Sequence, residues 1–315
     1  MAEVSVIFVN WNSSGYLREC LASIAEHTHD VDYETVVVDN ASPADDVDQL
    51  KADFPYIQLV KSQTNLGFSG ANNVGFRQSS GKYVLFLNPD TKLVGPAICT
   101  MLDHMKKLSD AGIVGSKLLN SDLSVQTESV QRFPRILNQL LDAEYLRLRW
   151  PDCRLWQIGA LFRDCQEPVR VEVIPGACML LKRDVFEAAG LFTEDYFMYA
   201  EDIDLNYKVA RLGLASYYIG TATIIHHGGT SSRQQKVSQW STAMKFRAMV
   251  RFFRIRRGRW YAGLYRTSMA CAAMGRLAAL AVARCFSSPA RNRERIEQAS
   301  AKWTTVLRCA MGISS

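Results

Sequence analysis

The sequence predicts an α/β protein: a doubly wound, mainly parallel sheet with helices on both faces, followed by a basic helical extension. Three observations carry this. Through the first 120 residues, short apolar runs alternate with helical patterns, the signature of parallel strands joined by crossover helices. Acidic residues fall where a predicted strand ends or a helix begins, at Asp39, Asp90, Glu201 and Asp202, and ligands of open α/β sheets bind at the carboxyl ends of strands. Charge is segregated along the chain. Residues 245–315 hold 15 Lys/Arg against 2 Asp/Glu, a net +13, whereas residues 1–244 hold 22 against 29, a net −7. An acidic body with a basic tail points to an anionic partner surface for the tail.

The elements follow in order. A first strand covers Val4–Val9. After a polar turn from Asn10 to Gly15, Leu17, Cys20, Leu21 and Ile24 share one helical face at spacings of i, i+3, i+4 and i+7. Strands are expected at Glu34–Val38, Ile57–Val60 and Tyr83–Leu87, with a helix from Ser69 to Gln78 before the last of these. Pro96 suits the first turn of a helix running to Leu108. A strand at Gly112–Val114 extends toward Leu118. Residues 120–170 carry Pro134, Pro151 and Pro168 with weak periodicity, and read as an irregular segment helping to form an acceptor site. A strand at Val171–Leu181, a helix at Arg183–Ala189, a helix at Glu201–Arg211 stopped by Gly213, and a last strand near Ala215–Ile219 complete the body.

The domain division expected is a catalytic domain over 1–232 and a basic, amphipathic helical region over 233–315. In the latter, bulky apolar and basic residues mix from Lys245 to Arg259, and residues 261–286 are rich in Ala, Leu and Met but broken by Arg266, Arg276 and Arg284. No stretch of about 18 residues there lacks charge, so a plain membrane span is not expected. A helix lying on a membrane surface with snorkelling arginines is the functional reading. A helical hairpin packed on the body, or on a second copy of the chain in a homo-oligomer, is the structural one. The eight cysteines form no CxxC pair, and scattered thiols in a long chain read as reduced and cytosolic. The start enters a strand directly, so no cleavable leader is expected. No nucleic-acid partner is expected.

Familiar phosphate loops are missing. No GxGxxG follows the first strand, and the run from Gly75 through Gly81 and Lys82 to Tyr83 has the wrong glycine spacing and a tyrosine where a P-loop needs Ser or Thr. The candidate site residues lie elsewhere. Asp39, followed by Asn40, can accept the imide N–H of a pyrimidine base, or simply form an Asx turn. In the loop from Asn65 to Asn73, Gly67 permits close backbone approach, while Asn65 and Asn72 could contact base or ribose. Asp90, after Asn88 and Pro89, is a hard oxygen ligand suited to Mg²⁺ or Mn²⁺. Asp202, beside Glu201 at a helix start, is a candidate general base, with helix N–H groups expected to keep its pKa low. His226 and His227 point to opposite faces of a strand, so at most one joins Asp90, and His226 is preferred.

These segments occur in one order: Val4 to Asn12, Val38 to Ser42, Asn65 to Asn73, Leu87 to Asp90, Pro175 to Ala177, Phe197 to Leu205 and Ile225 to Ser232. The series resembles the family 2 glycosyltransferases, in particular a rhamnosyltransferase-like branch that builds bacterial surface polysaccharides and cell-wall linkers. The resemblance covers residues 3–232. It implies a glycosyltransferase A fold with a Rossmann-like sheet, a nucleotide-diphospho-sugar donor, a divalent cation and inversion at the anomeric carbon. By the resemblance, Asp39 reads the base, and Val9, Asn10, Asn12, Asn40, Asn65, Gly67, Asn72, Asn88, Asp90 and Gly176 line the donor. Asp90 and His226 hold Mg²⁺ or Mn²⁺. Asp202 is the catalytic base, with Glu201 its neighbour. Asn88 departs from the family's DxD motif, leaving Asp90 its only carboxylate. dTDP-rhamnose is the favoured donor and a UDP-sugar the alternative. The acceptor is lipid-linked or a glycan, and the site of action is the cytoplasmic face of the inner membrane, peripherally bound to its anionic surface. Two other functions remain: a sugar-1-phosphate nucleotidyltransferase, and a non-catalytic membrane-bound scaffold of the same fold.

Overall fold

The structure, a computed structural model, describes residues 2–228, 239–286 and 290–313. Two compact units emerge: one of Met1–Phe133, Ala143–Phe197 and Glu201–Ser231, the other of Pro134–Asp142, Met198–Ala200 and Ser232–Ser315. The second thus gathers two short stretches that the division at 232/233 assigned to the body. That division itself, like the end of the segment from Ile225 to Ser232, lies outside the described residues.

The first unit is built on a nine-stranded sheet. In chain order the strands are β1 (Val4–Asn10), β2 (Tyr33–Asp39), β3 (Gln58–Lys61), β4 (Tyr83–Leu87), β5 (Thr91–Leu93), β6 (Ala111–Leu119), β7 (Val169–Val171), β8 (Cys178–Lys182) and β9 (Ala215–His226). They lie in the order β3-β2-β1-β4-β8-β6-β9-β5, with β7 also paired to β9. The run β3-β2-β1-β4 is parallel, as its crossover helices require. Beyond it the sheet is mixed: β8 runs antiparallel to both β4 and β6, whereas β6 and β9 are parallel.

Period-two alternation sets the two faces. Val4, Val6, Phe8, Leu85, Leu87, Cys178 and Leu180 meet α1 (Ser14–His27), α2 (Val47–Asp53) and α4 (Ala97–Lys107). All four residues of the predicted α1 stripe are buried there. Ile7, Val36, Val38, Val84, Phe86, Met179 and Leu181 meet α3 (Gly67–Arg77), α7 (Arg183–Ala188) and α8 (Glu201–Arg211). On that face Phe86, Phe186 and Phe192 form a mutual cluster with ring centroids 4.8–5.3 Å apart, and Phe76 joins at 4.8 Å from Phe186. Each such pair contributes about 0.5–1.5 kcal/mol beyond burial. The cluster ties β4 to the loop that leads into α8.

Some elements differ from the sequence reading. α2 was not anticipated, although Asp46 caps it by accepting from Gln49 N at 2.9 Å. α3 begins at Gly67, two residues before the predicted start. The stretch 120–170 is not merely irregular: it carries α5 (Ile136–Leu140), α6 (Glu144–Arg149) and a 3₁₀ turn at Gly159–Phe162. β9 runs on to His226 instead of stopping near Ile219, because a register shift between Ser116 and Lys117 lets β6 stay paired past Gly220.

The second unit holds α9 (Gln239–Arg257), α10 (Arg259–Phe286) and α11 (Ala290–Met311). Phe246, Phe253 and Tyr265 join α9 to α10, with Phe246 stacked on Tyr265 at 5.6 Å and Phe253 4.7 Å from Tyr265. Arg266 donates to Ala310 O at 2.9 Å. Arg276 donates to Leu140 O at 2.6 Å and lies 4.1 Å over the Trp303 ring. These two arginines, read as snorkelling, instead staple the unit internally. Among the described residues α10 is the helix long and apolar enough to cross a membrane, over Arg259–Cys285, and only 11% of its most apolar window is buried. Trp260, Leu264, Cys271, Met274 and Val282 recur along its exposed side at helical spacing.

Candidate active site

The topology sets the carboxyl ends of β2, β1 and β4 side by side, so Asp39, Asn10 and Asn88 share one sheet edge. Asp39 and Asn40 are buried. The Asn10 amide, fully buried, donates to Asp39 Oδ1 at 3.2 Å and to Asp45 Oδ2 at 3.0 Å. Its Oδ1 is buried without a protein partner. Asp45 also accepts from Ser14 N at 3.0 Å, at the start of α1. Val9 precedes Asn10, opposite Val38 in the register. Asn12, in a left-handed conformation at φ 51°, is exposed and accepts from Ala44 N at 3.1 Å, which folds the turn after β1 against the turn after β2.

A second amide network fixes the loop before α3. Asn40 donates to Asn65 Oδ1 at 3.0 Å and to Gly67 O at 3.2 Å, and accepts from Leu66 N at 2.8 Å. Gly67 sits at φ +70°, and a Cβ there would stand 2.3 Å from Phe197 O. Phe68 N bonds the same carbonyl at 2.8 Å. Asn72 is buried with its amide on Phe68 O, 3.0 Å away, within its own helix. Asn73, not anticipated, holds the loop toward α8 through Phe192 O and Glu194 Oε1, both at 2.9 Å.

Next along the edge come Asp90 and His226. β5 pairs antiparallel with β9, placing Thr91 opposite His226. His226 Nε2 lies 3.3 Å from Asp90 Oδ1 and 3.2 Å from Asn88 Nδ2. Its Nδ1 lies 2.9 Å from Gln126 Oε1. His227 turns away: its ring packs on Tyr16 with centroids 5.6 Å apart, and its Nδ1 meets Ser121 Oγ at 2.9 Å. No group of three or more His, Cys, Asp or Glu suited to a metal is found among the described residues. Asp90 and His226 are nonetheless a fitting pair for a divalent cation that keeps other oxygen ligands, being one hard carboxylate and one imidazole nitrogen within reach of a single ion.

Asp202 reaches the same edge through β8. Gly176 N donates to Asp202 Oδ2 at 3.0 Å, and next to Gly176, Ala177 O accepts from Asn88 N at 3.0 Å. Ile203 N donates to Asp202 Oδ1 at 2.8 Å. Asn206, one turn on, bonds Asp202 O and Ile174 O at 2.8 Å and accepts from Ile174 N at 3.1 Å, locking α8 to the strand approach. Two left-handed residues, Tyr199 at φ 71° and Ala200 at φ 65°, precede Glu201. The expectation of a low Asp202 pKa fails in direction. Burial raises it, outweighing the N–H bonds from Gly176 and Ile203. Glu201, buried with Oε2 unpartnered, is pushed well above the carboxylate range by burial and then by the Asp202 charge.

Residues 5–190 match the model of Glycosyl transferase family 2. The chain belongs to this family. Among its relatives are the N-acetylglucosaminyl-diphospho-decaprenol L-rhamnosyltransferase of Mycobacterium tuberculosis, 27% identical over 74% of this chain and 78% of that one, and the rhamnosyltransferase WbbL of Escherichia coli K12, 24% identical over 79% and 93%. Similar solved structures include a mannosyltransferase from Pyrobaculum calidifontis with GDP-Man and Mn²⁺, with a TM-score of 0.59 and 17% identity over 99% of this chain and 87% of that one. GalNAc-T7 with UDP, GalNAc and Mn²⁺ aligns with a TM-score of 0.55 and 16% identity over 72% of this chain and 44% of the other. The fold of this family 2 member is thus the glycosyltransferase A fold, and the family carries sugar transfer.

Proposed function

We propose that this glycosyltransferase moves a sugar, with L-rhamnose from dTDP-rhamnose favoured over a UDP-sugar, onto a hydroxyl of a lipid-linked or polysaccharide acceptor, with inversion, in cell-surface glycan synthesis. The observation that carries the reading is the convergence of Asp202 with the Asp90–His226 pair at one strand end, through the Gly176–Ala177–Asn88 backbone. The rhamnosyltransferase names of the two relatives support the sugar and, for the mycobacterial one, a lipid-linked acceptor.

In this mechanism Asp39 accepts the imide N–H of the base, and the amides of Asn10 and Asn40 hold its strand end in place. Asp90 and His226 would hold Mg²⁺ or Mn²⁺, which when bound supplies positive charge to the departing diphosphate. Asp202 takes the proton of the acceptor hydroxyl as its oxygen bonds to the anomeric carbon. The bond to the diphosphate oxygen breaks on the opposite face, and the electron pair leaves with the diphosphate. A base raised from its ordinary value by burial is stronger, and proton transfer to it is correspondingly favoured. Burial and the Asp202 charge push the Glu201 carboxyl well above its ordinary value, which favours its protonated form beside Asp202.

The helical unit acts, in this reading, as a peripheral anchor on the anionic cytoplasmic face of the inner membrane. The exposed stripe of α10 with the basic run from Arg247 to Arg259 supports it, each such cation being worth about 1 kcal/mol near an anionic leaflet. A surface position suits α10 better than a span, because an arginine at the bilayer centre costs about 2.5–3.5 kcal/mol or more, and Arg266 and Arg276 are both committed to partners inside the unit.

Calorimetric titration of dTDP, UDP and GDP, with and without Mn²⁺ or Mg²⁺, tests the donor site on wild type and Asp90→Ala. Metal-dependent binding of one pyrimidine diphosphate, lost in the variant, is expected. Metal-independent binding, or preference for GDP, would overturn the donor assignment.

A further inference from the structure

Gln126 is buried, 100 residues from His226 in sequence, and makes two contacts to it at once. Its Nε2 lies 2.5 Å from His226 O and 3.5 Å from Leu119 O. Its Oε1 lies 2.9 Å from His226 Nδ1. The amide orientation follows from chemistry: two carbonyl oxygens on one side require the NH₂ there, since the flipped amide would press oxygen against oxygen. Oε1 is therefore the atom facing the ring, and an acceptor at that position requires a proton on Nδ1.

The clamp is rigid. Gln126 N donates to Leu118 O at 2.9 Å, and Gln126 O accepts from Ser129 N at 3.1 Å and Ser129 Oγ at 2.8 Å. Leu119 bridges Val125 antiparallel and pairs with Ile225 on β9. The side chain thus spans from β6 to β9 at the point where the histidine leaves the strand.

The geometry points to Gln126 as a positioning residue that fixes the tautomer of His226, holding the proton on Nδ1 so that the lone pair of the neutral ring sits on Nε2, where the Asn88 amide at 3.2 Å can donate to it and where a cation shared with Asp90 would bind. This rests on the reading of His226 as a metal ligand. A ligating imidazole needs its other nitrogen held by an acceptor, and loss of such outer partners typically costs about 10–100-fold in metal affinity. In this chain the need is sharper, because Asn88 carries no charge and leaves Asp90, after β4, paired with His226, at the end of β9.

The first test needs no variant at Gln126. In full-length protein labelled with ¹⁵N-histidine, free of metal and nucleotide at pH 8.5, two-bond ¹H–¹⁵N correlation reads the tautomer, with His226→Gln assigning the signal. Nδ1–H is expected, and Nε2–H would overturn the inference. Gln126→Met, nearly isosteric but without an acceptor, should mix the tautomers and weaken Mn²⁺ binding in the presence of dTDP by about 10–100-fold, read by the EPR of free Mn²⁺. Unchanged tautomer and Mn²⁺ affinity in a folded Gln126→Met protein would overturn the role. Failure of the wild type to bind Mn²⁺ despite the Nδ1–H tautomer would overturn His226 as a metal ligand, while upholding the orientation by Gln126.

Discussion

The two acidic neighbourhoods of the sheet edge are held by opposite means. Around Asp39 an amide network ties the side chains together: Asn10 bridges Asp39 and Asp45, and Asn40 closes on Asn65, Leu66 and Gly67. Around Asp202 burial dominates, even though each Asp202 oxygen accepts a backbone N–H. Glu201 has a buried oxygen without a partner, and burial raises both pKa values. The first arrangement presents a shape fixed by its amide network, with Asn10 Oδ1 the acceptor left open, which suits binding. The second keeps a carboxylate hungry for a proton, which suits chemistry.

The comparison breaks most readily at Asp202. Asp202→Asn keeps the Gly176 N–H partner but cannot take a proton, and transfer should fall about 10²–10⁴-fold in kcat while the Kd for the nucleotide diphosphate changes little. Full activity in the variant would end the general-base assignment. In the wild type, kcat/KM should decline as pH falls through a carboxyl pKa above the ordinary value, because the base must be unprotonated and its pKa is raised. A decline confined to the ordinary aspartate range would show that burial does not govern the base.

Gly67 lets the two regions be broken together. Gly67→Ala needs a side chain at φ +70° and a Cβ 2.3 Å from Phe197 O. The conformational cost alone is about 1–2 kcal/mol, and the backbone clash adds to it. The thermal midpoint should fall by roughly 4 °C or more, at about 2–4 °C per kcal/mol for a domain this size, and donor binding should weaken along with it. An unchanged midpoint would mean that the Gly67–Phe197 contact does not hold the loops.

How much of this was legible in the sequence divides along the same line. Asp39, Asp90 and Asp202 are each marked locally, by an apolar strand before or a helix after, and the structure places each at the sheet edge. The parallel half of the sheet was legible for the same reason. What the sequence concealed depends on distant partners. β8 looks like any apolar strand, and nothing local shows that it inserts antiparallel between β4 and β6. The end of β9 was hidden because its pairing with β6 resumes only after a register shift, from Ser116 opposite Ile219 to Lys117 opposite Thr223. Gln126 carried no signal, since its meaning lies in a histidine 100 residues away. The direction of the Asp202 shift was missed because helix N–H groups are local and visible, while the burial that outweighs them is assembled from many segments.

A finer cut concerns affinity at the binding end. Asp39→Asn keeps size and most of the amide network but loses the charged acceptor. A hydrogen bond to a charged group is worth about 1.5–3 kcal/mol, so pyrimidine diphosphate binding should weaken roughly 10–100-fold, while kcat at saturating donor stays near wild type. An equal loss in kcat would place Asp39 in the chemistry and erase the division between the regions.

The smallest expected effect separates the regions by stability. Glu201 has a folded-state pKa raised above its unfolded value, so the stability tied to its proton is full below the unfolded pKa and is lost as pH rises through the folded one. The wild type should therefore lose stability between the ordinary glutamate range and that higher pKa. Glu201→Gln cannot ionise, and its unfolding free energy, from urea titrations at pH 5 to 8, should show a flatter slope whatever its absolute value. If Glu201→Gln kept the wild-type slope, the buried carboxyl would already be ionised at pH 5, and Asp202 would stand beside a negative charge rather than a neutral acid.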